Sequence, residues 1–334
     1  MNAPAPVQDL PGWDENAEVD LGPPHAVATE HGRFYSDPGT GVLLRSVTNA
    51  IDQLAKEGLP QGAATFTTDY MINRLPELLR AARDPDDLAA FRKKASFAYK
   101  EEWERRAELG SRTHRQVEAR NLGAPIAPDP EVEPFLDSYV RWLSDFGVNL
   151  GTPGGPSDIK AAECTVLNRS LGYGGTSDLW VHLRFPSPTS PLVPKHRPRK
   201  VPANPLPTPS GLWLVDVKTS IKYPASLMRE SFPMQLAALR RAEVALICPP
   251  ECRYGAAEGH DASHEHPVPP FAGVAILNLR TDAYGFIPLT AAPDEEEQRA
   301  FDAFLGLHPV SDYVDDLDLR PYKPIQPPTR RDAA

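Results

Sequence analysis

An acid and a base stand two residues apart at the end of the apolar stretch WLVDVKTS, residues 213–220. Side chains alternate between the two faces of a strand, so Asp216 and Lys218 point the same way, about 7 Å apart along the chain. Such a pair suits a site where a carboxylate holds a cation and an ammonium meets a phosphate group. The same pattern also arises where an ordinary strand reaches the surface, and the pair alone does not separate these interpretations.

A second carboxylate, Asp178, lies in GGTSDLWVHL, at the start of the preceding predicted strand. If residues 176–184 and 211–219 pair as a hairpin, Asp178 and Asp216 face each other with roughly 5 Å between their Cβ atoms. Two carboxylates this close repel each other unless a cation lies between them. Hard oxygen ligands favour Mg²⁺ or Mn²⁺, with water completing the shell, so the pair predicts a divalent metal site.

Three more residues are candidates for the same site. Glu163, in AAECTVLN, leads the strand before Asp178 and is either a third carboxylate of the site or an exposed acid at a strand end. His114, in GSRTH, is expected one turn into a helix that begins near Ser111, where its ring is either a metal ligand or a structural side chain. Gln235 lies on the helix after the Asp216 strand and by itself indicates nothing.

The elements that must position these residues change in character near residue 150. Before it, GVLLRSVTNAIDQLAKEG predicts a short strand and a helix capped by Ser46 or Thr48. Four helical patterns follow, the first with Thr67 or Thr68 as a candidate cap, at about 65–83, 86–109, 111–121 and 131–146.

After residue 150 the pattern is mostly that of strands. Glycines at 172, 174 and 175 predict a turn between two strands, and a helix is expected at about 224–243. VALICPP, FAGVAILNLR and GFIPLT predict further strands, and DEEEQRAFDAFLGL a closing helix. We therefore predict an α/β or α+β fold, with a mixed sheet flanked by helices and a helical N-terminal part.

The predicted organisation is a single domain between two tails. Its parts are an N-terminal arm, disordered or extended, at 1–33; the domain at 34–310, divided into a helical part at 34–150 and a sheet core at 151–310; a Pro-rich insert at 185–209; a polar loop at 249–270; and a C-terminal tail at 311–334.

Composition limits the compartment and the partners. The net charge of −10 argues against a general polyanion-binding surface, although KHRPRK at 195–200 and the arginines around His114 are locally basic. No apolar run approaches the roughly 20 residues of a membrane helix, and the N-terminus lacks a signal pattern, which predicts a cytoplasmic protein without membrane partners. Three cysteines cannot all pair internally, which favours reduced thiols.

The order of the motifs carries more information than any one of them. G-x-x-x-H is followed by Glu163, G-G-T-x-D, D-x-K-T and a helix with Gln235. In this order the chain resembles the PD-(D/E)XK nuclease superfamily over about residues 42–280, in particular the RecB-like exonuclease branch with its phage-encoded and CRISPR-associated members. The resemblance implies a restriction-endonuclease-like core and a Mg²⁺- or Mn²⁺-dependent deoxyribonuclease, an exonuclease acting on DNA in recombination, repair or phage DNA processing.

The resemblance also implies roles for individual residues. The metal ligands would be His114, Asp178, Asp216 and the backbone carbonyl of Val217. The catalytic residues would be Asp178, Asp216, Lys218 and Glu163. The DNA-binding residues would be Arg112, Arg115, Gln235, Lys195, Arg197, Arg199 and Lys200. DNA would be the main partner, together with a recombination or single-strand-annealing protein, in a bacterial or phage-infected cell.

Two features depart from the family pattern. Leu239 stands where the Q-x-x-x-Y element has its tyrosine, which bears on the contact of that helix with DNA and not on the metal chemistry. None of the three cysteines lies upstream of Glu163, so no iron–sulfur cluster is expected.

Three other interpretations stay open. The chain is alternatively a structure-specific endonuclease, or a nuclease fold that binds nucleic acid without activity. The loop ECRYGAAEGHDASHEH, with Cys252, His260, His264 and His266, is a weak candidate for zinc, because its spacing fits no regular finger.

Overall fold

A mixed β-sheet flanked by helices forms the protein, as predicted. The computed structural model describes residues 25–29, 31–54, 58–151, 156–190, 206–247, 264–290 and 295–316. Within these ranges ten strands join one sheet, and two short strands form a separate ribbon.

The helices are α1 (Val47–Ile51), α2 (Gly58–Asn73), α3 (Leu75–Ala81), α4 (Pro85–Leu122), α5 (Glu133–Asp145), α6 (Ser231–Arg240) and α7 (Glu295–Asp316). The strands of the sheet are β1 (Ala26–Thr29), β2 (Gly32–Ser36), β3 (Leu43–Ser46), β4 (Ile159–Asn168), β5 (Tyr173–Leu183), β8 (Gly211–Thr219), β9 (Val244–Leu246), β10 (Glu265–Pro267), β11 (Gly273–Leu279) and β12 (Tyr284–Thr290). The ribbon consists of β6 (Thr189–Ser190) and β7 (Leu206–Pro207).

The centre of the sheet follows the order of the chain. Strand β5 pairs antiparallel with β4 and β8, β11 runs parallel to β8, and β12 closes the edge antiparallel to β11. Because β4 occupies one edge of β5, both β3 and β8 lie along its other edge. Strand β3 pairs with residues 173–174 of β5, and β8 pairs with residues 179–183 of β5. The sheet therefore splits beside residues 175–178 of β5, where neither strand pairs.

Strand β8 shows the alternation that its sequence predicts. Trp213, Val215 and Val217 pack in a buried cluster with residues of α4 and α5 on one face of the sheet. Leu214 packs in a second cluster, with residues of α1, α6 and α7, on the other face. A slip of one residue would exchange the two faces and place Asp216 and Lys218 in the apolar cluster of Val215 and Val217, so the register is strongly specified.

The helical part differs from its prediction in three ways. The pattern at 65–83 forms two helices, α2 and α3, and α2 begins at Gly58. The patterns at 86–109 and 111–121 form one helix, α4, whose N-cap is Asp84. Gly110 does not interrupt this helix but lets it approach β8, since a Cβ there would lie 3.3 Å from Thr219 Oγ1. Thr68 lies inside α2 and donates to the Ala64 carbonyl instead of capping the helix, whereas Ser46 caps α1 as predicted.

Other elements begin or end at residues different from those predicted. Strands β1 and β2 pair as a hairpin, so residues 26–29 and 32–33 belong to the sheet and not to the predicted N-terminal arm. The turn between β4 and β5 ends at Gly172, and Gly174 and Gly175 lie inside β5. Helix α6 begins at Ser231, later than predicted. None of the described helices combines the length and the apolar character needed to cross a membrane.

Candidate functional site

The register of three neighbouring strands aligns the three predicted carboxylates. Pairs on either side of Glu163 place it opposite Asp178 on β5. The β5–β8 ladder ends at Leu179 and Val215, and continuing its register by one residue aligns Asp178 with Asp216. The predicted hairpin is therefore confirmed, although Asp178 lies in the middle of β5 and not at its start. The carboxylates lie where the sheet splits between β3 and β8.

A histidine from α4 completes a group that we call the His–Glu–Asp cluster. Nδ1 of His114 lies 2.9 Å from Glu163 Oε1 and 3.7 Å from Asp178 Oδ2. One ligand atom from each of the three residues lies within 4.8 Å of the other two. Carboxylate oxygens and an imidazole nitrogen are donors that divalent cations take in proteins. The cluster could therefore hold a metal ion.

The backbone at Glu163 is in an unusual conformation. Its φ is +47°, in the left-handed region that side chains other than glycine rarely adopt. This costs on the order of 1–2 kcal/mol for a residue with a Cβ atom. Strain of this kind persists where the surrounding structure imposes it, and it concentrates at functional sites. Here it accompanies the turn of the Glu163 carboxylate toward His114.

Asp216 and Lys218 belong to a second group, the Asp–Lys–Gln cluster. Lys218 Nζ donates to Asp216 Oδ1 over 3.0 Å and to Gln235 Oε1 over 3.1 Å. Gln235 Nε2 in turn donates to Asp216 Oδ1 over 2.8 Å. Asp216 is 1% exposed, so its charge is compensated inside the protein by the ammonium and the amide. Each of the three side chains is thus fixed by the other two.

One backbone group joins the two clusters. The amide of Val217, between Asp216 and Lys218, donates to Asp178 Oδ2 over 2.7 Å. Val217 was predicted to contribute through its carbonyl, and in the structure its amide is the group that contacts a site residue. The bond replaces the ladder contact that is lost where β8 leaves β5.

The pKa values of the site reflect burial and crowding of charge. Burial raises the pKa of Asp178 to about 8, and the neighbouring Glu163 carboxylate adds to the effect. Burial lowers the pKa of His114, but the carboxylates of Asp178 and Glu163 outweigh it and raise the value to about 9. Burial likewise opposes the charge of Lys218, yet Asp216 and Asp178 raise its pKa overall. The site therefore retains protons that a divalent cation would displace.

Both clusters line one cleft, with a volume of about 740 Å³. Arg33, Arg106 and Arg115 also line it, so acidic residues share the cleft with three guanidinium groups. Arg115 was predicted to contact a ligand here. Arg33 and Arg106 were not among the predicted site residues. Arg33 comes from β2, where nothing in the local sequence marks it, and Arg106 comes from an earlier turn of α4, within the basic stretch around His114.

The remaining predicted residues differ in where they lie. Arg112 does not line the cleft: its guanidinium pairs with Asp129 and Glu131. Gln235, predicted to bind DNA, lines the cleft and forms hydrogen bonds with Asp216 and Lys218. The predicted DNA-binding residues Lys195, Arg197, Arg199 and Lys200 lie outside the described residues, as do Cys252 and His260 of the candidate zinc loop. His266 lies on β10 and lines no part of the cleft.

Comparison of the chain with protein-family models and with curated proteins found no match to either.

Proposed function

We propose that this protein is a Mg²⁺- or Mn²⁺-dependent deoxyribonuclease of the PD-(D/E)XK type, an exonuclease that hydrolyses phosphodiester bonds in DNA. The observation that carries the proposal is the joining of two clusters in one cleft by the hydrogen bond from Val217 to Asp178. One cluster offers donors for a divalent cation, and the other offers a fixed ammonium. Phosphodiester hydrolysis needs both, because negative charge increases on the phosphate as it reacts.

His114, Glu163 and Asp178 would hold the metal, and Asp216 lies beside them on the next strand. A divalent cation bound there supplies Lewis acidity and lowers the pKa of a water molecule. Carboxylates and an imidazole fit Mg²⁺ or Mn²⁺.

Lys218 would act as a positive charge directed at the phosphate. Its ammonium is held protonated by two carboxylates, which raise its pKa, so it orients and stabilises the phosphate and does not serve as a free base. Gln235 holds the ammonium through one oxygen and Asp216 through its nitrogen. Gln235 is therefore a positioning residue in this proposal.

The arginines of the cleft support a polyanionic substrate. Arg33 and Arg115 form no ion pair within the described residues, which leaves their charges available for backbone phosphates. DNA is thus the proposed partner. A recombination or single-strand-annealing protein is proposed as a second partner, in the cytoplasm of a bacterial or phage-infected cell.

The test is a nuclease assay with purified protein and linear duplex DNA, with Mg²⁺, Mn²⁺ or EDTA. We expect metal-dependent release of nucleotides, and a loss of roughly 100-fold or more for Asp178→Asn and Lys218→Ala. Asp302→Asn, an exposed acid on α7, is the matched control and should cleave like wild type. Equal activity of wild type and both site variants would refute the proposal.

Two variants of the assay separate the alternatives. A closed circular substrate is cleaved by an endonuclease and resists an exonuclease. DNA binding by the wild-type protein without cleavage in either metal would favour a nuclease fold that acts as a binding module.

A further inference from the structure

A second pocket opens beside Lys218, on the α5 side of the cleft. We call it the tyrosine pocket, and its volume is about 250 Å³. The residues that matter for its chemistry are Arg106, Lys218, Lys222, Tyr223, Arg229 and Phe232. It shares Arg106, Lys218 and Thr219 with the cleft, so the two are continuous. A chain bound at Lys218 would reach it without leaving the protein surface.

The charge of the tyrosine pocket is unlike that of the whole chain. Two lysines and two arginines line it and no aspartate or glutamate does, although the chain carries a net charge of −10. Arg106 shares its charge with Glu102. Lys222 and Arg229 form no ion pair within the part of the chain that the structure describes. The pocket therefore favours an anionic group.

An aromatic ring stands in this positive surrounding. Tyr223 is 46% exposed, and the Arg229 guanidinium lies 5.4 Å from the centre of its ring. Large exposed aromatic side chains near unpaired cations are the features by which proteins bind single-stranded nucleic acid, with bases on the rings and phosphates on the cations. A base can stack on a side chain in this way only when it is unpaired.

Hydrogen bonds fix the backbone of the loop that carries Tyr223. Asn278, which is buried and paired in register with Lys218, donates both amide hydrogens to the loop, to the carbonyls of Ala225 and Leu227 at 2.9 Å each. Arg280 donates to the Tyr223 carbonyl, and Ser220 Oγ accepts from the Tyr223 amide over 2.9 Å. The backbone of Tyr223 is thus fixed while its ring remains exposed, which lowers the entropy lost when a ligand binds.

We propose that the tyrosine pocket binds the nucleotide next to the reacting phosphate, with its base on Tyr223 and its phosphate between Lys222 and Arg229. The inference rests on the proposed nuclease function and narrows the substrate class to a strand that is unpaired at this position. Phe232 lines the same pocket and packs under Lys218, 5.4 Å from its ammonium.

The test compares two oligonucleotides of equal length, an oligothymidylate and its abasic counterpart, which has the same phosphates and no bases. Fluorescence anisotropy in EDTA measures binding without turnover, and kcat/KM with Mn²⁺ measures hydrolysis. We expect Tyr223→Ala to weaken binding of the oligothymidylate roughly tenfold and to leave the abasic strand unchanged. Arg229→Gln should weaken both strands. Tyr313→Ala, which changes a more exposed tyrosine on α7, is the control and should affect neither.

The outcomes distinguish the two proposals. If Tyr223→Ala weakens both strands equally, or neither, the tyrosine pocket does not bind a base and the inference is overturned. If wild type hydrolyses neither strand but discriminates between them in binding through Tyr223, the pocket stands and the nuclease proposal fails.

Discussion

The carboxylate of Asp178 accepts a hydrogen bond from the backbone amide of Val217 over 2.7 Å, across the point where β8 leaves β5. Val217 is 1% exposed, so its amide depends on this carboxylate for a hydrogen-bond partner. The relationship ties the position of a metal-binding carboxylate to the strand that carries Lys218. It also gives Asp178 a structural role that can be separated from its proposed chemical one.

Replacing Asp178 by Asn or by Leu separates these roles. Both changes remove the charge, so we expect both variants to lose the thermal stabilisation that Mn²⁺ gives the wild type. Asn keeps an acceptor for the Val217 amide, whereas Leu leaves that buried amide unpaired, at a cost of about 1–3 kcal/mol. Urea denaturation in EDTA should therefore rank Asp178→Leu below Asp178→Asn. Equal stabilities would mean that the hydrogen bond contributes little.

The metal-free protein should lose stability as the pH rises. The pKa of Asp178 is about 8 in the folded protein against 3.8 ordinarily, and that of His114 about 9 against 6.5. Each group binds its proton more tightly when folded, so its contribution is full below the ordinary value and is lost as the pH rises through the raised one. The free energy of unfolding in EDTA should therefore fall between pH 6.5 and about 9, with both contributions being lost up to about pH 8 and only that of His114 above it.

Two controls accompany this measurement. Asp178→Asn should show a shallower dependence on pH, because it removes one of the titrating groups. Mn²⁺ should stabilise the wild type more at the higher pH, because metal and protons compete for the same atoms. A flat profile in EDTA would contradict the assigned pKa directions.

The strained backbone of Glu163 predicts that glycine is more stable than alanine at this position, the reverse of the usual order in a strand. At an ordinary strand position glycine is less stable than alanine by roughly 0.5–1 kcal/mol. At position 163, with φ at +47°, we expect Glu163→Gly to be more stable than Glu163→Ala by about 1 kcal/mol. The same pair of changes at His182, on the neighbouring strand, is the control and should show the ordinary order. Both Glu163 variants should bind Mn²⁺ more weakly than wild type.

Gln235 should affect the rate more than substrate binding. Gln235→Leu removes both hydrogen bonds that orient Lys218 and Asp216, so we expect kcat on linear DNA to fall roughly tenfold with little change in KM. Gln116→Leu is the control, since Gln116 lies on α4 and bonds the Ala127 carbonyl outside the cleft. A change confined to KM would instead support the predicted contact of Gln235 with DNA.

Much of the site was predictable because its residues occupy neighbouring strands. Alternation along WLVDVKTS gave the faces of β8, and hairpin pairing gave the alignment of Asp178 with Asp216. The division of the residues into two clusters was not predictable. It depends on the φ of Glu163 and on the bond from Val217 to Asp178, which are properties of the packed backbone.

Features that depend on tertiary contacts and on the ends of helices were also not predictable from the sequence. Gly110 read as a break between two helices, yet tertiary contact with β8 keeps α4 continuous there. Leu239, in place of the family's tyrosine, proves to be 2% exposed. Its Cδ2 atom lies 2.5 Å from where a Cβ on Gly175 would be, so Leu239 packs closely against the backbone of β5.

The hairpin of β5 and β8 carries the residues of the candidate site at one end and the segment that connects the two strands at the other. Five residue pairs lie between the two carboxylates and the connecting segment, and the last of them is Leu183 with Gly211. A change of length in that segment alters the closure free energy only slowly, by about 0.6 kcal/mol per doubling, and leaves the five pairs that set the alignment untouched. We therefore expect a fluorescent label or an affinity tag inserted in that segment to leave the alignment of Asp178 with Asp216 unchanged.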